Sequence, residues 1–250
     1  MMKNILFPVF VFASLTLKAQ DDFNEYNQYP AGQYPYKGGE AAFYKDFHDI
    51  VTKNGFQPCE NKEEVYNLKV IIPETGPIKY LKDETNKDAA EKYKCTYDLG
   101  LKVVSLMDKW KPVVIDGEKK QSVAQFYIIT DHLFENYKNG YIPSGVAANY
   151  NNQSGGGINA FRKLVADRID TRGYNWSRAF TMIVTFVVNT EGGIEDLKVL
   201  QSSGLPEFDQ RVMRGIKSVT GKKHKWTPGK IDGVPVKTRF RLPLRFGAPE

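Results

Sequence analysis

The chain has 250 residues, 41% of them hydrophobic, and a formal net charge of +6. This length is sufficient for two modest domains and a linker. Basic stretches can bind nucleic acid, but the export predicted from the N-terminus argues against such a partner.

The N-terminus has the pattern of a secretory signal. Lys3 precedes an apolar run over Ile5–Leu17, and Ala19 stands where cleavage is expected. The run is too short to span a bilayer, and no later segment approaches that length. We therefore predict a signal peptide over residues 1–19, an exported protein and no integral membrane anchor in the mature chain. No cysteine lies near Ala19, which argues against a lipid anchor.

Residues 20–36 are rich in Tyr, Asn, Gln and Pro and have few aliphatic residues. This composition predicts a flexible leader on the surface. Further on, Cys59 and Cys95 are the two cysteines of the chain. In an oxidising compartment they could form a disulfide, and a pair of free or buried thiols is the alternative.

Beyond the leader the chain repeats itself. Three blocks recur in the same order at an offset of 116 or 118 residues, and such an arrangement indicates an internal duplication. The pairs are Gly38–Phe43 with Gly156–Phe161, Leu68–Ile78 with Val184–Ile194, and Trp110, Pro112 and Gly117 with Trp226, Pro228 and Gly233.

Each copy is predicted to fold as helix, strand, strand, helix, strand (αββαβ), and the protein as α+β. In the second copy, Met182–Asn189 is apolar on both faces and is the expected central strand, followed by a hairpin and the strand Ile194–Gln201. The third strand should lie on the far side of the first. Each domain would then be a three-stranded antiparallel sheet in the order second, first, third, with its helices packed on one face.

The first copy, residues 37–130, departs more from this plan. Its central strand contains Pro73, and its second strand ends near Asp83 before a polar loop, Glu84–Lys94. Its last strand is predicted near Ser122–Ile129. Residues 131–154 are read as a linker, and residues 155–250 as the second domain.

The last strand of the second copy has the clearest pattern. Over Val236–Phe246 apolar residues alternate with Lys237, Arg239, Arg241, Pro243 and Arg245. Period two predicts a strand with one buried and one solvated face. Proline and a basic face are typical of a sheet edge. From Arg211 onward there are eleven Lys and Arg against two acids. A solvated face is the favoured interpretation, with lipid headgroups or an acidic peptide as the alternative.

The sequence contains no pattern typical of a catalytic or metal site. His48, His132 and His224 lie in different segments without metal-ligand spacing. Ser202 and Ser203 lack the strand–Gly-x-Ser-x-Gly–helix context and are interpreted as helix N-caps. We therefore predict neither an enzyme nor a cofactor.

The tryptophans are interpreted as structural residues rather than as a ligand site. Trp226 and Trp110 are expected to fill the ends of small cores, whereas Trp176 has no counterpart in the first copy and is expected to be a surface or interface residue.

Over about residues 157–247 the sequence resembles a known family, the TonB C-terminal domain. Residues 38–130 resemble a diverged second copy. The motifs that carry the resemblance are Gly156–Phe161, Phe186–Ile194, Val199–Gly204, Phe208–Asp209, Trp226–Gly229, Asp232–Val236 and Leu242–Phe246.

The resemblance implies a periplasmic interaction module that binds a short extended segment, the TonB box, of an outer-membrane TonB-dependent transporter or another envelope protein. Binding would be by strand addition to the sheet edge. The implied partner-binding edge comprises Val236, Lys237, Thr238, Arg239, Phe240, Arg241 and Leu242. Lacking an anchor, the chain is not expected to transduce energy by itself. The alternative is a structural or assembly protein that forms a homodimer through its sheet edges.

Overall fold

The computed structural model describes residues 29–152, 155–220 and 226–247. The predicted signal peptide at residues 1–19, the first part of the predicted leader and the loop 221–225 with His224 lie outside these described residues.

The first half forms a three-stranded antiparallel sheet with β1 at its centre, in the order β2-β1-β5. The helices are α1 (Gly39–Lys53), α2 (Ala89–Lys92) and α3 (Lys94–Val104); the strands are β1 (Val65–Ile72), β2 (Lys79–Leu81), β3 (Val113–Ile115), β4 (Glu118–Lys120) and β5 (Ser122–Ile129). A 3-10 turn at Thr130–Leu133 follows β5. Phe43 of α1 stacks on Phe126 of β5 with ring centroids 3.7 Å apart, within the core between helices and sheet.

The second half repeats this arrangement with a sheet in the order β10-β9-β14. Its elements are β6 (Gly145–Val146), β7 (Asn149–Asn152), β8 (Gly155–Gly156), α4 (Gly157–Ala166), β9 (Phe180–Val188), β10 (Ile194–Gln201), α5 (Pro206–Ser218), β11 (Trp226–Thr227), β12 (Gly229–Ile231), β13 (Val234–Val236) and β14 (Thr238–Phe246). Even-numbered residues of β9 share one core with Phe161 of α4 and Phe208 of α5. Both helices therefore cover the same face of the sheet.

The α+β class is confirmed, and both sheets have the predicted strand order. The two sheets share this order because the same sequence pattern occurs in both halves. In each, a short turn makes the first two strands antiparallel, and a helix carries the chain back before the third strand. The structure corrects the start of the last strand. Val236 pairs with Gly229 in the hairpin of β12 and β13, and β14 begins only at Thr238.

The segments predicted as leader and linker both contribute a buried tyrosine. Tyr36 forms a bridge with Trp110 and packs edge-on against it at 5.3 Å. Tyr150, within the predicted linker, pairs with Trp226, and their rings are 5.5 Å apart. Each tyrosine also contacts the first phenylalanine of the helix that follows. Both copies thus include residues preceding their glycine pairs.

The two Asp-Gly turns have the same backbone conformation. Asp116 and Asp232 both have positive φ, 51° and 47°, and each is followed by a glycine with positive φ. Two central residues with positive φ define the tight hairpin turn that suits the twist of antiparallel strands. These turns join β3 to β4 and β12 to β13 at equivalent places in the repeat.

The hairpin of β12 and β13 also joins the two halves. Ile231 packs against Val65 of β1 and Ile129 of β5, on the sheet face opposite α1. Val234 and Val236 are partly buried against the same cluster. The second half therefore covers part of the face that the first sheet leaves free of helices.

Cys59 and Cys95 form a disulfide in the structure, with Cα atoms 5.8 Å apart across a sequence separation of 36. Closing a loop of this length restricts the unfolded chain, so replacing both cysteines by alanine should lower the free energy of unfolding by about 4 kcal/mol. Urea denaturation of the two proteins measures this difference. A reductant should reproduce the loss in the parent protein only, and an unchanged midpoint in the double variant would contradict the prediction.

Gly192 has φ +81°, and a Cβ added there would lie 2.0 Å from the carbonyl oxygen of Trp226. Gly76, its counterpart in the repeat, has φ +90° but open space around it. Gly76→Ala should therefore cost only the left-handed backbone, about 1–2 kcal/mol. Gly192→Ala should cost clearly more, because the turn must also move away from Trp226. Thermal unfolding of both variants tests this; equal losses would be the contrary result.

Candidate functional site

β14 forms a long, regular edge of the second sheet. It pairs with β9 over nine consecutive residues, from Thr238 to Phe246, without a register shift. The opposite edge, β10, shows register shifts between Glu195 and Lys198 and between Val199 and Gln201, and Asp196 has positive φ. Irregularities of this kind disfavour the pairing of a further strand. β14 is therefore the edge of this sheet that suits a partner.

The edges of the first sheet are less suitable. β2 has only three residues. At the other edge, the hydroxyl of Tyr44 donates a hydrogen bond to the carbonyl oxygen of Tyr127 in β5. A side chain of the same domain thus already uses part of that edge.

Two observations show which main-chain groups of β14 point away from its neighbour. The carbonyl oxygen of Phe240 accepts a hydrogen bond of 2.9 Å from the hydroxyl of Thr185 on β9, so it faces β9. Antiparallel pairing alternates, so Arg241 and Arg245 direct their N–H and C=O groups outward. Pro243, which has no N–H, falls in the same outward set and leaves the pairing with β9 intact.

The two faces of β14 differ as the sequence pattern predicts. Leu242 and Leu244 are buried in the core beneath the helices, and Phe240 packs against Trp226 with ring centroids 4.7 Å apart. On the other face Arg241 and Arg245 are exposed. The edge thus has an exposed basic face and a largely buried apolar face, of which Phe240 and Phe246 are partly exposed.

The beginning of the predicted partner-binding stretch is occupied by contacts within the chain. Lys237 forms an ion pair of 2.8 Å with Glu195 and lies 3.9 Å from Asp88 of the first half. Arg239 donates to the carboxylate of Asp196 and to the main-chain oxygen of Glu84. Hydrogen bonds from Lys198 and Arg239 lower the pKa of Asp196 to about 2. Val236, Lys237 and Arg239 therefore join the two halves, whereas Phe240–Phe246 takes no part in these contacts.

The residues predicted to be structural lie at junctions of elements. Trp226 is 3% exposed and packs on Phe161 and Phe186. The indole N–H of Trp110 donates to the main-chain oxygen of Met107. Pro112 and Pro228 lie, half-buried, immediately before β3 and β12, and Gly233 completes the second Asp-Gly turn.

One minor prediction is wrong. Ser202 and Ser203 do not cap α5, whose N-cap is Leu205; both instead hydrogen-bond to the carboxylate of Asp209 in the first helical turn. Trp176, predicted as a surface or interface residue, is half-buried and packs against Phe208 and the stacked ring of Tyr174.

A polar cluster that sequence reasoning missed joins the halves at Asp232. One carboxylate oxygen accepts from the hydroxyl of Tyr141 at 2.7 Å and from Nδ1 of His132 at 2.9 Å, and the other accepts from the N–H of Ser144 at 2.7 Å. Burial alone would raise the pKa of Asp232, but these hydrogen bonds hold it below its ordinary value. The repeat marked Asp232 as a turn residue, but nothing in the sequence pointed to partners about ninety residues away.

Within the described ranges, no group of three or more His, Cys, Asp and Glu side chains is arranged to hold a metal ion. Nδ1 of His48 lies 3.1 Å from the main-chain oxygen of Leu133, and the imidazole ring stacks on Tyr137. The part of the chain that the structure describes also contains no helix with the length and apolarity needed to cross a membrane.

Comparison with known families agrees with this geometry. Residues 181–247 match the family described as Gram-negative bacterial TonB protein C-terminal, and the matched segment runs from β9 through β14. This segment belongs to the TonB C-terminal family. It is thus a TonB-like protein-interaction domain of the Gram-negative envelope. No curated protein and no solved structure matches the chain significantly.

The Asp232 cluster predicts a specific acid sensitivity. Because its folded-state pKa lies below 3.8, Asp232 stabilises the fold above that pH, and this contribution is lost as the pH falls toward the folded-state pKa. Asp232→Asn should lower the free energy of unfolding at pH 7 by about 1–2 kcal/mol, and this loss should shrink as the pH falls below 3.8.

Denaturant unfolding at several pH values measures both effects. Asp116→Asn is the matched control, since Asp116 occupies the same turn position in the first half. A loss of stability in Asp232→Asn that does not change with pH would show that the cluster does not act through the charge of Asp232.

Proposed function

We propose that this TonB-like domain binds an extended segment of an envelope protein by strand addition along Phe240–Phe246. The proposed partner carries a TonB-box-like segment, as outer-membrane TonB-dependent transporters do, and the chain acts in the periplasm after export through residues 1–19. The observation that carries the proposal is the regular edge of β14, which has no further strand beside it among the described residues and lies within the segment that matches the family.

The chemistry of this edge suits main-chain recognition. The outward N–H and C=O groups of Arg241 supply hydrogen bonds, each worth about 0.5–1.5 kcal/mol net. Phe240 and Phe246, both partly buried beside the helix-side core, offer apolar contact to alternate side chains of an added strand. Affinity would come from the main chain, and selectivity from the side chains.

We further propose that residues 37–130, with the preceding Tyr36, are a diverged copy of the same domain. Support comes from the same sheet order, the same Asp-Gly hairpin and the same contact of a buried tyrosine with a tryptophan in both halves. Its short β2 and the Tyr44 contact on β5 make it less suited to strand addition. Its proposed role is to support the start of β14 through Glu84 and Asp88.

The test distinguishes binding through the main chain of β14 from binding through the charge of its side chains. Arg241→Pro removes the charge and the outward N–H, whereas Arg241→Gln removes only the charge. Peptides carrying the TonB-box segments of TonB-dependent transporters from the same genome serve as probes, with affinity measured by fluorescence anisotropy. We expect Arg241→Pro to weaken binding at least tenfold more than Arg241→Gln does.

Circular dichroism and thermal unfolding must show that both variants are folded. Amide hydrogen exchange provides a second measurement, since an added strand should protect the N–H group of Arg241 but change those of β10 little. Full binding by a folded Arg241→Pro protein would rule out pairing along β14.

A further inference from the structure

The open face of the second sheet carries an uncompensated positive charge beside the available edge. Arg239 lies opposite Val187 and reaches Asp196 on β10, so its side chain crosses the central strand and its charge is balanced there. Lys198 pairs with the same carboxylate. Arg241 is exposed, and among the described residues no carboxylate lies within ion-pairing distance of it.

This charge lies where an added strand would place a side chain. Arg241 is opposite Thr185 on the inner side, so its neighbour on the outer side would be a residue of the partner. Side chains directly opposite one another in paired strands share a face, and opposite charges there stabilise the pair while like charges destabilise it. Arg245 is exposed on the same face, four residues further along β14, and adds a second basic side chain there.

The same geometry disfavours a second copy of this chain as the occupant. If two β14 strands paired antiparallel in one continuous sheet, odd-numbered residues would face odd-numbered residues. These are Lys237, Arg239, Arg241, Pro243, Arg245 and Gly247. Every such register places arginines opposite or diagonal to basic residues, which is destabilising. A homodimer through this edge is therefore not the expected assembly.

We propose that the partner of β14 is an extended peptide in which apolar residues alternate with acidic ones. The acidic side chains lie on the open face beside Arg241, and the apolar ones lie on the helix side beside the partly buried Phe240 and Phe246. This inference rests on the proposed strand addition and specifies the chemistry of the added strand. A lipid headgroup is less suitable, because it would make no use of the outward main chain of the same strand.

Three synthetic peptides of nine residues test the inference: valine alternating with glutamate, with glutamine or with lysine. At low ionic strength the wild-type chain should bind the glutamate peptide roughly threefold to tenfold more tightly than the glutamine peptide, and the lysine peptide most weakly. Added salt should reduce the difference, since exposed charges are screened.

Arg241→Glu should reverse the preference toward the lysine peptide, and Arg241→Gln should reduce it without reversal. Arg214→Glu is the matched control, because Arg214 is exposed on α5 and its replacement makes the same change in net charge. The control should retain the preference of the wild type. If Arg241→Glu fails to fold, the reduced preference expected of Arg241→Gln still tests the inference.

Equal affinity for the glutamate and glutamine peptides, with TonB-box peptides still bound, would overturn the acidic preference but leave strand addition standing. Failure of every peptide, TonB-box peptides included, would overturn both. Binding to phosphatidylglycerol vesicles that Arg241→Glu abolishes, without any preference among the peptides, would overturn the inference in favour of a lipid surface.

Discussion

The pairing of β14 with β9 is the interaction on which the rest of the second half depends. It places the apolar row of β14 beneath α4 and α5 and its arginines on the opposite face. It also leaves the outer side of β14 without a neighbouring strand in the described sheet. A slip of one residue would bury Arg241 and expose Leu242, so the core that stabilises the domain also defines the surface offered to a partner.

Much of this arrangement follows from local pattern. The alternation along Thr238–Phe246 specifies both the strand and its buried face, because the period of two is a property of extended backbone. The doubly apolar β9 indicates a central position, and the duplicated blocks reveal the same fold in a first half whose own signals are weak. The strands can be predicted from short local stretches of sequence, and the fold of the first half from its repeated blocks.

The remaining features depend on contacts between distant segments. Tyr36 and Tyr150 lie in stretches whose polar composition is typical of loops, yet each is buried against a tryptophan more than seventy residues away. Val236 continues the alternation of β14 but is drawn into the hairpin with β12, because the Asp-Gly turn sets that pairing. The cluster around Asp232 likewise required the three-dimensional position of His132 and Tyr141.

The contact of Arg239 with the first half has a consequence for sequence divergence. Its acceptor at position 84 is a main-chain oxygen, which every amino acid provides. Substitution of Glu84 can therefore leave this hydrogen bond intact, whereas the carboxylate of Asp196 cannot be replaced freely. The loop of the first half can therefore change in sequence and still accept the hydrogen bond at the start of β14. In this way one copy of a duplicated domain can diverge from the other in sequence and keep its structural role.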